Sequence, residues 1–248
     1  MTGNNPLQLQ AANVVVAGGG ALGTAFANAL AAASQEGEVV MLAREEPTEL
    51  DPRVSLTLVD ATDAARIASV AAGVSEQLGR VHLLVNTVGI LHGAGVQPEK
   101  RLRDLKPQAF HQSMTINALF PALLAEGFSR ALRHDEPAML ASLSARVGSI
   151  TDNGMGGWYS YRASKAAHNM VLRTLAREWR ISHRNVAVVA LHPGTVESRL
   201  SRPFVSETYS KKVLTPQESV EYLLGVMRGL SPADSGSFYD WRGEVIPW

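Results

Sequence analysis

The sequence predicts an α/β fold of three layers, in which a doubly wound parallel sheet of about seven strands carries helices on both faces. Short runs of β-branched apolar residues alternate with longer segments of helical period, a pattern typical of repeated βαβ units. No low-complexity linker or shift in composition divides the 248 residues, of which 46% are hydrophobic. A chain of this length can bury one substantial core, so we expect a single domain over residues 1–248.

Each element follows from a local pattern. Strands are predicted at apolar runs of strand length, residues 13–17, 38–43, 55–59, 81–86, 138–143, 186–192 and 237–239. Helices are predicted at segments of helical period, residues 22–33, 62–78, 108–133, 161–182 and 216–229. The main irregular stretches follow strands and are residues 91–105, 148–159 and 194–214. Ligands of open parallel sheets bind beyond the carboxyl ends of the strands, so these stretches are predicted to wall a site, with 194–214 as a substrate loop.

Composition restricts the partners of the chain. Lys and Arg total 23, as do Asp and Glu, so no overall field attracts nucleic acid or an anionic membrane, and neither is expected as a partner. The absence of cysteine excludes disulfides, thiolate metal sites and a cysteine nucleophile, and we expect no metal in the site. Residues 1–10 lack the features of a signal peptide, and no apolar stretch approaches the roughly 20 residues of a membrane span. We therefore expect a soluble, cytoplasmic protein that acts on a small molecule.

A glycine-rich turn follows the first predicted strand. Gly18, Gly20 and Gly23 satisfy the pattern G-x-G-x-x-G, with Leu22 inside it, where a helix begins. Backbone amides in such a turn can approach a pyrophosphate, and the positive end of the helix dipole favours the anion. The turn predicts a dinucleotide site of the Rossmann type. A tight turn that binds nothing and a SAM-binding loop of related shape are the alternatives.

Arg44 stands at the end of the second predicted strand, where a site that prefers NAD usually carries an acidic residue. Its guanidinium can pair with the 2′-phosphate of NADP(H), so the sequence favours NADP(H), with NAD(H) as the other possibility. Glu45 and Glu46 follow at once and could neutralise this charge, and a surface arginine without function is the alternative. Asp60, after the third strand, could accept a hydrogen bond from adenine or cap the following helix.

Tyr161 and Lys165 have the spacing Tyr-x-x-x-Lys, which places both side chains on one face of a helix. A free phenol has a pKa near 10, and a neighbouring ammonium favours the phenolate and lowers that pKa. We therefore expect Tyr161 to serve as a general acid or base. Lys165 would tune the phenol and also hydrogen-bond the nicotinamide ribose. The spacing alone is a weak motif, and its place in the fold strengthens it.

The order and spacing of these motifs resemble the short-chain dehydrogenase/reductase family over nearly the whole chain. The likeness rests on the glycine turn, residues 86–89, Asn117, the Tyr161 and Lys165 pair, and Pro193-Gly194. Residues 148–150 and 157–161 resemble the branch of C-factor and sniffer-like carbonyl reductases. The resemblance implies reduction of a carbonyl, or oxidation of an alcohol, by hydride transfer with NADP(H) in a homodimer or homotetramer. A regulatory protein that binds NADP(H) with little or no turnover is the alternative.

The resemblance also implies roles for single residues. The backbone carbonyl of Asn117 would hold a water that contacts Lys165. Asn86 would tie the fourth strand to its neighbours, and Gly89 would leave room for the cofactor. The stretch after the sixth strand would receive the nicotinamide carboxamide through backbone groups, and it consists of Pro193, Gly194, Thr195 and Val196.

The chain departs from the family pattern at the serine that holds the substrate oxygen. That serine is usually the second of a Ser-Ser-x-x-Gly element, and here the element reads Ser144-Ala145-Arg146-Val147-Gly148. Ser144, Ser149 or no serine at all could fill the role, and we take Ser144 as the leading candidate. Candidate substrate contacts lie on the presumed loop walls, each with a packing or surface role as the alternative: His92, Trp158, Phe204 and Tyr209.

Overall fold

A computed structural model describes residues 9–206 and 212–248, and its centre is a seven-stranded parallel sheet. The strands are β1 (Val14–Ala17), β2 (Val39–Ala43), β3 (Val54–Leu58), β4 (Leu83–Asn86), β5 (Ala138–Leu143), β6 (Val186–His192), β7 (Thr195–Val196), β8 (Val213–Leu214) and β9 (Ser237–Asp240). The sheet has the order β3-β2-β1-β4-β5-β6-β9, and β7 and β8 pair separately. The chain reverses direction across the sheet at β1, which is the doubly wound arrangement that the sequence predicts.

Within the described residues, six α-helices cover the sheet, and local signals fix several of their ends. They are α1 (Ala21–Ala33), α2 (Ala64–Leu78), α3 (Pro107–Met114), α4 (Phe120–Leu132), α5 (Tyr159–Ser182) and α6 (Pro216–Arg228). The α2 helix begins after Asp63, whose carboxylate accepts a hydrogen bond from the amide of Arg66 at 2.9 Å. The α6 helix begins with a capping box in which Thr215 and Glu218 satisfy each other's backbone amides.

The core is divided by the sheet into two apolar layers. Val15 of β1 packs with residues of α2, α4 and α5 on one face, while Val16 packs with residues of α1 and α6 on the other. This alternation follows from the two-residue period of a strand. It explains why the central strands are almost entirely apolar, since both faces of the sheet are covered. The three-layer fold expected from the sequence is confirmed.

Two predicted segments differ from the structure. The single helix expected over residues 108–133 is divided by a π-helical turn at Thr115–Leu119. Pro121 has no N–H, so the hydrogen bond that a regular helix would direct to the carbonyl of Asn117, four residues earlier, cannot form. The stretch 194–214 was expected to be irregular and contains the short strands β7 and β8. Across residues 9–206 and 212–248, no helix is long and apolar enough to cross a membrane.

Candidate functional site

The predicted site residues gather at one edge of the sheet because all seven strands are parallel. The glycine turn follows β1, Arg44 follows β2, Gly89 follows β4 and Ser144 follows β5, so each lies beyond the carboxyl end of its strand. Pro193 follows β6 in the same way. This is the edge at which open parallel sheets bind their ligands.

The glycine turn is closely packed on one side and open on the other. Gly18 has φ +118°, and its amide donates a hydrogen bond to the carbonyl of Leu42 at 2.7 Å. A Cβ atom at Gly23 would overlap the carbonyl oxygen of Gly18, so α1 lies directly against the turn. A Cβ at Gly20 would meet nothing within 4 Å. The turn therefore needs its first and last glycines for its own geometry and leaves open space at the middle one.

The amino end of α1 offers its backbone donors to this open space. Its N-cap residue is Gly20, which supplies no side-chain hydrogen bond, and the first turn contains no acidic residue. The first amides of a helix have no acceptor within the helix, and the helix dipole makes this end positive. Leu22 lies in this first turn, beside Gly23. The turn and helix end together form a cradle that suits a phosphate.

Arg44 and Asp60 stand at the ends of neighbouring strands. The Arg44 guanidinium lies 3.0 Å from the Glu45 carboxylate, and both side chains are largely exposed. Asp60 accepts hydrogen bonds from the amide of Thr62 at 2.8 Å and from its hydroxyl at 2.6 Å. Those bonds, with a smaller contribution from Arg44, hold the pKa of Asp60 below its usual value. The expectation that Asp60 caps the next helix is wrong, because that helix begins later and Asp63 caps it.

Tyr161 and Lys165 lie buried on one face of α5, as their spacing predicts. The Lys165 ammonium donates a hydrogen bond to the carbonyl of Leu143, the last residue of β5, at 2.9 Å. Burial lowers the pKa of Lys165 to about 8 and raises the pKa of Tyr161 above its usual value. The expected lowering of the Tyr161 pKa is therefore wrong for this structure, because burial of the phenol disfavours its charged form.

Gly89 and Asn117 lie beside the Lys165 side chain. A Cβ at Gly89 would lie 3.4 Å from both the Asn117 Oδ1 and the Lys165 Nζ. The Asn117 side chain accepts a hydrogen bond from the amide of Ile90 at 2.7 Å and donates to the carbonyl of Ile90 and the hydroxyl of Ser164, both at 2.9 Å. Asn117 thus joins the loop after β4 to α5, and Gly89 leaves space above Lys165.

The serine candidates have other partners. The Ser144 hydroxyl donates to the Asn169 Oδ1 at 2.6 Å, about two helical turns along α5 from Tyr161. The Ser149 hydroxyl accepts a hydrogen bond from the amide of Asp152 at 3.1 Å. Ala145, in the position of the family's serine, is extended and half-buried. The single donor of Ser144 is engaged at Asn169, and its role at a substrate oxygen stays a prediction.

A chain of buried hydrogen bonds lies behind the pair: it contains Asn86, which was expected to tie the fourth strand to its neighbours, and also Ser142 and His168, which were not foreseen from the sequence. The Asn86 amide donates to the Ser142 hydroxyl at 2.9 Å, and that hydroxyl lies 2.8 Å from the His168 Nε2. This chain ties β4 to β5 and β5 to α5. The signal for its helical part was present, because His168 and Asn169 continue the face of Tyr161 and Lys165 at helical spacing.

The segment after β6 turns at Gly194, which has φ +81°. The Pro193 carbonyl accepts a hydrogen bond from the Ser219 hydroxyl at 2.8 Å, which fixes this segment to α6. Thr195 and Val196 form β7 and pair with β8. The segment is therefore fixed to α6 by Pro193 and to β8 by β7. It follows β6 at the edge of the sheet where the other site residues lie.

Three of the aromatic residues proposed as substrate contacts form one cluster. Trp158 packs against the Tyr161 ring with 6.1 Å between centroids and against Phe204 with 4.9 Å. His92 meets Phe204 at 5.7 Å. Tyr209 lies outside the described residues.

Comparisons with known proteins identify the family of the chain. The family model described as short chain dehydrogenase matches residues 12–208. The C-signal protein of Myxococcus xanthus is 33% identical over 170 residues, which cover 68% of this chain and 94% of that protein. The 1-hydroxy-2-glutathionyl-2-methyl-3-butene dehydrogenase of Rhodococcus sp. (strain AD45) is 32% identical over 190 residues, covering 77% of this chain and 78% of that protein.

Solved structures show the same fold. The NADPH-bound carbonyl reductase from chicken fatty liver superposes with a TM-score of 0.82 at 29% identity, covering 95% of this chain and 98% of that one. The carbonyl reductase Sniffer of D. melanogaster superposes with a TM-score of 0.80 at 19% identity, covering 95% and 99% of the two chains. These relatives match the branch that the sequence resembles. With a family model that covers most of its length, this chain belongs to the short-chain dehydrogenases, a family of oxidoreductases.

Proposed function

We propose that the chain reduces a carbonyl group, or oxidises the corresponding alcohol, with NADP(H) as the hydride carrier and Tyr161 as the general acid or base. The observation that carries this proposal is the position of Tyr161 and Lys165. Both are buried on one face of α5, and Lys165 lies beside Gly89 at the strand edge that also carries the glycine turn. A small carbonyl or alcohol bound at this edge would meet the phenol.

The residues present fit a dinucleotide. The open side of Gly20 and the uncapped end of α1 suit the pyrophosphate, and Arg44 is placed for a 2′-phosphate. Asp60 would face the adenine, Gly89 and Lys165 the nicotinamide ribose, and residues 193–196 the carboxamide. The cofactor would supply the hydride. Solved relatives with bound NADPH support the choice of NADP(H), and Arg44 favours it over NAD(H).

The chain's own residues would manage the proton. Burial keeps the Tyr161 phenol protonated at neutral pH, so its hydroxyl can donate a proton to the oxygen of a carbonyl as that oxygen gains negative charge. The Lys165 ammonium would stabilise the resulting phenolate. The carbonyl of Leu143 positions this lysine by a direct hydrogen bond, and Asn117 holds the Gly89 and Ile90 loop beside it.

Titration of NADPH and NADH fluorescence, followed by turnover of a panel of aldehydes, ketones and alcohols, tests this proposal. We expect NADPH to bind more tightly than NADH, and Tyr161→Phe to lower turnover by about 10² or more while NADPH binding stays unchanged. The proposal fails if neither nucleotide binds, or if Tyr161→Phe leaves turnover of an identified substrate intact. We further propose a homodimer or homotetramer, which light scattering would detect.

A regulatory protein that binds NADP(H) with little turnover is the second candidate function. Ala145 carries no hydroxyl, and Ser144 is engaged with Asn169, so the substrate oxygen has fewer donors than the family pattern provides. The similarity to the C-signal protein also favours it. Binding of NADPH without turnover of any compound in the panel would support this function over the enzymatic one.

A further inference from the structure

Trp158 has a backbone conformation that is rare for a large side chain. Its φ of +51° and ψ of +47° lie in the left-handed region, and Gly156 and Gly157 before it each have φ +66°. A bulky residue with positive φ is an outlier that persists only where its surroundings hold it, and such residues cluster at functional sites. The indole of Trp158 lies beside Tyr161, so its unusual backbone conformation indicates a functional role there.

Buried hydrogen bonds fix Trp158 at the beginning of α5. Its amide donates to the backbone carbonyl of Glu99 at 2.6 Å, and its carbonyl accepts from the amide of Arg162 at 2.8 Å. The Glu99 side chain is buried, and its carboxylate accepts hydrogen bonds from the amide and the hydroxyl of Ser160. The charge of Glu99 is thereby directed at the helix end. Trp158 is held by backbone contacts that leave its indole available for ring contacts.

The indole forms part of an aromatic wall, which we define as Trp158, Phe204 and His92. The Trp158 and Tyr161 rings meet edge to face, and Trp158 also packs against Phe204, which in turn meets His92. The His92 Nε2 donates to the carbonyl of Leu200 at 3.0 Å and so joins the loop after β4 to the loop after β6. All three wall residues are half-buried, so part of each ring remains accessible.

Neither Ala145 nor Glu99 offers a free polar group to a ligand. Ala145 offers a methyl group where the family pattern has a hydroxyl, and Glu99 is occupied by Ser160. A flat apolar ligand can stack on the exposed rings, whereas a carboxylate there would lose water without gaining a charged partner among the wall residues. The ring contacts therefore favour a neutral, planar group next to the reacting carbonyl.

We propose that the aromatic wall receives an aromatic substituent of the substrate, so that aryl ketones and aryl aldehydes are the preferred carbonyl class. The proposal rests on the proposed function for the chemistry at Tyr161, while the binding preference itself can be measured without turnover. Trp158 and Phe204 are the specificity-determining residues. Stacking on two rings favours an aryl group over a saturated ring of equal size by about tenfold in affinity.

Acetophenone and cyclohexyl methyl ketone are the matched probes, because they differ only in the aromaticity of the ring. Their dissociation constants are measured by calorimetry with and without NADPH, on the native chain and on Trp158→Leu and Phe204→Leu. Phe204 has no unusual backbone angle to disturb, so its variant keeps the test open if Trp158→Leu does not fold. Tyr159→Leu is the control, since Tyr159 adjoins Trp158 but is partly exposed outside the wall.

We expect acetophenone to bind about tenfold more tightly than cyclohexyl methyl ketone in the native chain and in Tyr159→Leu. The ratio should fall to about one to three in either wall variant. Equal binding of the two ketones by the native chain, or a preference that survives Phe204→Leu, overturns the proposal. If NADPH does not bind but the preference for acetophenone is present and lost in the variants, the proposed redox function fails while the aromatic wall stands.

Discussion

The Lys165 ammonium donates a hydrogen bond to the backbone carbonyl of Leu143 at 2.9 Å, which joins the face of α5 that carries Tyr161 and Lys165 to the end of β5. This contact fixes one of the three ammonium donors and leaves the others for the phenol and a ribose. It also holds a positive charge at a buried position, where burial lowers the pKa of Lys165 to about 8. This buried position therefore disfavours the charged form of Lys165. The cost should be measurable as a pH-dependent change in the free energy of unfolding.

The difference in the free energy of unfolding between the native chain and Lys165→Met should depend on pH. Because the folded pKa is below the unfolded one, the unfolded chain binds more protons between pH 8 and about 10.5, and the native chain becomes more stable as pH rises through this window. We expect its free energy of unfolding to rise relative to Lys165→Met by up to about 3 kcal/mol, at about 1.4 kcal/mol per pKa unit. Urea unfolding at pH 7 to 10.5 measures the difference. The exposed Lys106→Met should show no such trend, and a flat difference for Lys165→Met would contradict the assignment.

The glycines of the turn should separate into a structural and a binding role. Gly23→Ala places a methyl group against the carbonyl of Gly18, so we expect a loss of stability of about 1–3 kcal/mol or more. Gly20→Ala enters open space with an ordinary φ of −79°, so stability should change by less than about 0.5 kcal/mol. NADPH affinity should nevertheless fall in Gly20→Ala, because the methyl group occupies the side from which a pyrophosphate would approach. Thermal unfolding and fluorescence titration together test this, and unchanged NADPH affinity in Gly20→Ala would argue against the cradle.

Arg44 should determine the choice between NADPH and NADH. Its contact with Glu45 is an exposed ion pair of about 0–1 kcal/mol, so a 2′-phosphate can displace the carboxylate. We expect Arg44→Ala to weaken NADPH binding about tenfold or more, and NADH binding by no more than about twofold. Glu45→Gln should strengthen NADPH binding. Arg53→Ala is the control, since Arg53 makes a similar exposed pair with Asp51 just before β3, away from the carboxyl edge. Equal losses for the two nucleotides in Arg44→Ala would refute the role.

Much of the fold could be read from the sequence because burial on both faces makes the central strands almost entirely apolar. The predicted bounds of the seven strands in the main sheet were exact for β5 and β6 and differed by one or two residues for the others, whereas the short strands β7 and β8 were not predicted. The π-helical turn at Thr115–Leu119 was not predicted, because it hardly alters the apolar pattern of a helix. Pro121 was the local signal for it, since proline has no N–H to donate in a regular helix.

The site was harder to predict than the fold. The spacing of Tyr161 and Lys165 fixes their common face, which is a local property of a helix. The partner of Ser144 depends on how α5 is placed along β5, which is a tertiary property, and no local pattern selects Asn169. The protonation state of Tyr161 could not be predicted from its spacing to Lys165, because it also depends on how deeply the phenol is buried. A neighbouring ammonium lowers the pKa of a phenol, whereas desolvation raises it.

The hydroxyl of Ser142 should stabilise the fold through two buried partners. Ser142→Ala leaves the Asn86 amide and the His168 Nε2 without this partner, so we expect a loss of about 1–3 kcal/mol in the free energy of unfolding. Ser113→Ala is the matched control, because Ser113 is equally buried and its hydroxyl has no partner among the described residues. Urea unfolding measures both variants. Equal effects would show that the chain of hydrogen bonds adds no stability beyond the packing of a serine.

The methyl group of Ala145 should limit the rate of carbonyl reduction. Ala145→Ser introduces a hydroxyl in the position of the family's serine, where it could donate to the substrate oxygen alongside Tyr161. Removing one donor to a developing oxyanion costs about 10²–10³ in rate in other enzymes, so restoring one should raise kcat about tenfold or more. Steady-state turnover of acetophenone with NADPH measures the change in kcat and KM.

Two variants separate this effect from a general change in the loop after β5. The gain should vanish in Ala145→Ser combined with Tyr161→Phe, because a second donor assists only when the proton can be delivered. Ser144→Ala alone should lower stability, through the loss of its bond to Asn169, and should lower kcat only if Ser144 contacts the substrate oxygen. If kcat is unchanged in Ala145→Ser and falls strongly in Ser144→Ala, the donor to the substrate oxygen is Ser144. Ser144 would then have the catalytic role.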